Sequence, residues 1–97
     1  MTQTPNAKIE NILNQIQNLV KNVDTTQAKQ VNELLTKTFQ SSNTTELSSN
    51  LKTLTSSLQN LSNTLNTSQT QNLSTLTNQL KEFISNGALL ESKVENN

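Results

Sequence analysis

Cysteine is absent from this chain, so neither disulfides nor thiol chemistry can contribute, and cysteine usage says nothing about the redox compartment. Histidine and tyrosine are absent as well. General acid–base catalysis needs positioned groups of shifted pKa. What remains are seven acids scattered as Glu10, Asp24, Glu33, Glu46, Glu82, Glu91 and Glu95. Glu46 suits the start of a helix, where a carboxylate meets the positive end of the helix dipole, and Glu33 with Lys37 has ordinary i,i+4 spacing. No calcium-loop pattern and no Glu-x-x-His pattern occurs. The expectation is a protein that is not an enzyme, with no catalytic, cofactor-binding or metal-binding residues and no cofactor.

Arginine and tryptophan are missing too, and the seven lysines (Lys8, Lys21, Lys29, Lys37, Lys52, Lys81, Lys93) are evenly spread. Nucleic-acid affinity comes from clustered cations that neutralise phosphates and from aromatics that stack on bases. Neither is present, so no nucleic-acid partner is expected. Net charge is zero, which leaves little long-range repulsion between copies. No run approaches the twenty apolar residues of a membrane span, and Met1–Asn6 lacks the basic and apolar regions of a signal peptide. These absences predict a soluble protein, intracellular by default, with secretion by a signal-less route left open. An amphipathic membrane-surface helix would need a basic polar face. Residues 7–23 offer only Lys8 and Lys21 for one, and read better as a core-facing helix.

What the chain does contain is amide and hydroxyl: a little over half its residues are Asn, Gln, Ser or Thr, and 30% are hydrophobic. Such a composition by itself suits disorder. The placement of the apolar residues argues against it. Six leucines, Leu47, Leu51, Leu54, Leu58, Leu61 and Leu65, alternate four and three residues apart. That spacing puts them on one narrow helical seam of coiled-coil type, which needs another helix to cover it. Past Leu65 the heptad fails and the apolar phase moves to Leu73, Leu76, Leu80, Phe83 and Ile84. A broader stripe of Ile9, Ile12, Leu13, Ile16, Leu19, Val20 and Val23 precedes the seam, as in a helix facing a core.

These patterns predict an all-α protein forming a single domain over residues 1–97, with helices over about 6–23, 27–40, 45–66 and 69–85 and a frayed tail over 88–97. Thr4 followed by Pro5 suits an N-cap with proline at the first helical position. Asp24 and Gln27, like Ser68 and Gln71, have capping-box spacing, and Thr44 or Thr45 is placed to cap the third helix. Asn86–Gly87 reads as a C-cap, because glycine accepts the left-handed conformation that ends helices. Two architectures satisfy this reading. One is an antiparallel bundle of four short helices; the other is a long two-helix hairpin that oligomerises. In the second, Gln27, Ser68 and Asn72 would be polar residues in an apolar seam and could set register; in the first they are turn residues.

Ser, Thr and Asn are mediocre helix formers, so helices built from them must be held by packing rather than by propensity. Association would supply more packing. The packing and interface seam is expected at Leu47, Leu51, Leu54, Leu58, Leu61 and Leu65, covered by Ile9, Leu13, Ile16 and Val20 and by Leu73, Leu76, Leu80 and Phe83. The leading functional expectation is a protein–protein interaction and assembly module, acting through self-association as a homo-oligomer or through co-assembly with other helical chains. The alternative is a small regulatory or effector protein whose bundle presents a polar surface to one protein target. The four sequons, at Asn43, Asn60, Asn66 and Asn72, are about what chance gives in a chain this rich in Asn, Ser and Thr. The pairs Thr36/Thr38, Thr53/Thr55 and Thr75/Thr77 have the i,i+2 spacing of ice-binding threonine arrays, but on a helix such positions point apart.

Overall fold

The computed structural model describes residues 2–5, 7–87 and 90–93, with side chains over 7–87. Four helices account for most of it: α1 (Ala7–Val20), α2 (Thr26–Phe39), α3 (Thr44–Ser62) and α4 (Thr67–Asn86). Strand β1 (Thr2–Pro5) precedes them and β2 (Leu90–Lys93) follows, pairing antiparallel in the register Thr2↔Lys93 to Pro5↔Leu90. The fold is thus an all-α bundle of four short helices, and the long-hairpin alternative is not adopted.

Three short, mostly polar turns reverse the chain, and each is closed by a side-chain N-cap on the helix that follows. Thr25 Oγ1 accepts from the Ala28 amide at 3.2 Å, Asn43 Oδ1 from Glu46 at 2.8 Å, and Asn66 Oδ1 from Gln69 at 2.8 Å. Each satisfies an amide that the helix itself leaves orphaned. Glu46 and Gln69 sit three residues after their caps, the capping-box position, and the Glu46 carboxylate accepts a 3.0 Å bond from Ser42 Oγ. The expected caps Asp24, Thr44 or Thr45, and Ser68 each stand within one or two residues of the residue that takes the role. Gly87 ends α4 at φ +68° as expected, and no other described residue has positive φ.

Some boundaries differ from expectation. Pro5 lies in β1 rather than at the first turn of α1, and Leu90 lies in β2 rather than in a tail; both are backbone positions of the terminal ribbon. Residues 88, 89 and 94–97 of the expected tail lie outside the described residues. α1 stops at Val20 and α3 at Ser62, so Val23 and Leu65 belong to turns, where both pack half-buried against the core. Gln27, Ser68 and Asn72 are helical, in the opening turns of α2 and α4, and none is buried.

The helices pack as a ring in which α1 neighbours α2 and α4, and α3 neighbours α2 and α4. Antiparallel order is visible where Lys8 lies across from Glu82 and, at the other end of α1, Leu19 lies across from Asn72. One core fills the ring, drawn from Ile9, Ile12, Leu13, Ile16 and Val20 of α1, Ala28, Val31 and Leu35 of α2, Leu47, Leu51, Leu54, Leu58 and Leu61 of α3, and Leu73, Leu76 and Leu80 of α4. Burying an aliphatic side chain of this size is worth about 1.5–3 kcal/mol, and this sum offsets the weak helix propensity of the polar residues between.

Three threonines complete the core. Thr38, Thr55 and Thr77 are buried, and each hydroxyl donates to a carbonyl of the preceding turn: to Leu34 O at 2.7 Å, Lys52 O at 2.8 Å and Leu73 O at 2.7 Å. A buried hydroxyl without a partner would carry a desolvation cost; among the described residues no buried side-chain polar atom lacks one. Their i−2 companions Thr36, Thr53 and Thr75 are exposed. Each Thr-x-Thr pair therefore places one hydroxyl inside and one outside, and forms no flat threonine array.

Candidate functional site

The leucine seam is turned inward. Leu47, Leu51, Leu54, Leu58 and Leu61 are all buried within the chain's own core, as are Ile9, Leu13, Ile16, Val20, Leu73, Leu76 and Leu80. Leu65 and Phe83 are half-buried at its margin. The residues expected to form a seam are brought together, and little of their surface remains for another chain.

The two least covered of the buried core residues lie between α1 and α4. Most core members are 0–1% exposed, but Ile12 is 5% and Leu76 8% exposed. Both lie on the floor of an open groove, about 670 Å³ over the end of α1 and about 340 Å³ over its start. Gln15 and Gln79 line both parts, so the two are adjacent. Half-buried Leu19 and Phe83 extend the apolar floor. Asn11, Gln15 and Asn18 of α1 form one wall, Asn72, Thr75 and Gln79 of α4 the other, and Lys8 and Glu82 stand on opposite sides of one end.

The α2–α3 and α3–α4 contacts are each drawn together by a four-residue turn, at 40–43 and 63–66. α1 and α4 are the first and last helices, and the link between them is the β1–β2 ribbon beyond their ends.

The groove is lined by amides over an apolar floor. Its amides each offer both donors and an acceptor, and its apolar floor is narrow. No group of three or more His, Cys, Asp or Glu capable of holding a metal occurs among the described residues. Sequence reasoning placed Ile12, Leu19, Leu76 and Phe83 on apolar stripes but not in a shared groove; the only available signal was that both stripes run wider than one helical contact uses.

Fold and groove define a class, an all-α four-helix bundle with a polar surface and an open groove between its first and last helices. Compared with protein-family models, with curated proteins and with solved structures, the chain shows no match in any of the three. No helix among the described residues is long and apolar enough to cross a membrane.

Proposed function

We propose that this protein is a non-enzymatic helical assembly module, which self-associates or co-assembles with other helical chains through the α1–α4 groove. The observation that carries the reading is the α1–α4 groove: the leucine seam is spent inside the bundle, whereas half-buried Leu19 and Phe83 line the groove between amide side chains, beside nearly buried Ile12 and Leu76. A helix laid in an apolar groove is a recurrent mode of recognition, and a net charge of zero opposes close approach of a second copy only weakly.

The test is sedimentation of the full chain beside two variants. Leu19→Gln alters the groove at a half-buried position and leaves the leucine seam untouched. Ser49→Gln, on the exposed face of α3, serves as the control. The expected result is association of the wild type and of Ser49→Gln, weakened in Leu19→Gln while its helical circular dichroism is kept. If self-association is absent, co-sedimentation with helical chains captured through the groove is expected, again lost in Leu19→Gln. A monomer that captures nothing, or capture indifferent to Leu19→Gln, overturns the proposal.

A further inference from the structure

The single glycine of the chain follows an asparagine, at Asn86–Gly87. This pair is chemically distinct from every other asparagine and its successor here. A residue without a Cβ leaves its amide nitrogen unhindered and its backbone free to rotate, so that nitrogen can reach the side-chain carbonyl carbon of the asparagine before it. All other asparagines that have a successor are followed by a residue carrying a side chain.

The structure adds a second distinction. Asn86 is the exposed last residue of α4, and Gly87 follows at φ +68° with nothing within 4 Å of the place a Cβ would occupy. The Gly87 amide is held only by the closing bonds of the helix, to Ile84 O at 3.3 Å and to Phe83 O. No basic side chain stands in the last turn of α4 to steady its terminal carbonyls. By contrast, Asn43 and Asn66 are fixed by 2.8 Å capping bonds, and Asn50 donates to Ser41 Oγ at 2.9 Å.

We infer that Asn86 is the primary site of spontaneous deamidation in this protein, through a cyclic imide shared with Gly87. When the last turn of α4 opens, the Gly87 nitrogen gives up its proton to solvent base and attacks Asn86 Cγ. The new N–Cγ bond replaces the Cγ–Nδ2 bond, and ammonia leaves. Water then opens the ring at Cγ to give aspartate, or at the main-chain carbonyl to give isoaspartate; no oxidant or reductant takes part. Either product turns the net charge from zero to minus one, at the end of α4 where the helix dipole disfavours an anion. Isoaspartate also inserts a methylene into the backbone immediately before the glycine cap.

The test is incubation of the full-length protein at mildly alkaline pH and warm temperature, followed by peptide mapping with mass spectrometry. Asn86 is expected to convert before any other asparagine, and more slowly in the folded protein than in urea, because the helix end must open first. Gly87→Ala is expected to slow conversion in urea, where the strain of alanine at positive φ plays no part. Asn86→Gln is expected to block it, since closure would require a six-membered ring. The converted protein is expected to melt at a lower temperature than the unconverted. Earlier conversion elsewhere, or a Gly87→Ala chain that reacts as fast as the original in urea, overturns the inference.

Discussion

The first turn of the bundle and the two that follow it solve the same problem with different means. At 40–43, Asn50 of α3 reaches back across the turn and donates to Lys37 O at 3.3 Å and to Ser41 Oγ at 2.9 Å. At 63–66, Thr70 of α4 reaches back to Ser62 O at 3.2 Å. Each clasp adds a side-chain donor to a last-turn carbonyl of the preceding helix that also accepts a backbone N–H, from Gln40 and from Leu65 respectively. At 21–25, among the described residues, no side chain of α2 makes a hydrogen bond back to the end of α1, and the Thr25 cap bond is longer than the two asparagine caps. α2, α3 and α4 therefore form a clasped series, whereas α1 is held by its apolar stripe, with the β1–β2 ribbon beyond its start. The open groove flanks this helix.

Breaking the comparison at its strongest point means cutting into α3, the helix on which both clasped turns depend. Leu54→Ala is expected to destabilise the protein by about 2–5 kcal/mol, as large-to-small changes in packed cores do, read from urea unfolding followed by circular dichroism. A capping substitution is a smaller perturbation. Asn43→Ala and Thr25→Ala should each cost about 1 kcal/mol. The loss of Thr25 should also raise amide exchange in the first turn of α2, whose Ala28 amide it caps, whereas loss of Asn43 should leave α2 and α3 protected through the Asn50 clasp.

Removing that clasp sharpens the same contrast. Asn50→Ala should cost about 0.5–1.5 kcal/mol, the usual net worth of a hydrogen bond, and should bring amide exchange at 40–43 toward that at 21–25. The smallest effect belongs to Asp24→Ala, expected to fall within about 0.5 kcal/mol of wild type. Asp24 is exposed, and the cap beside it is Thr25.

The fold was legible because leucine and isoleucine spacing survives in a chain otherwise built of polar residues. Apolar phase placed each helix to within a few residues, but the polar runs at 24–27 and 66–71 left turn and helix both open, and the turns fall at 21–25 and 63–66. Individual caps were less legible, since Asp24-Thr25-Thr26, Asn43-Thr44-Thr45 and Asn66-Thr67-Ser68 each offer several competent side chains in a row. Which one caps depends on where the next helix must start to bring Ala28, Leu47 or Leu73 onto the core. Thr38, Thr55 and Thr77 counted as polar in the sequence but continue the apolar phase, one helical turn after Leu34, Leu51 and Leu73. Their bonds to preceding carbonyls make that burial affordable. The groove was not legible, because it joins the first and last helices.

The most direct test of the proposed assembly is molar mass by light scattering over a wide range of protein concentration, with helical content followed in parallel. Self-association through the groove predicts a folded helical species whose mass rises above the 10.7 kDa of one chain as concentration increases. A helical species that stays at the mass of a single chain throughout would contradict self-association.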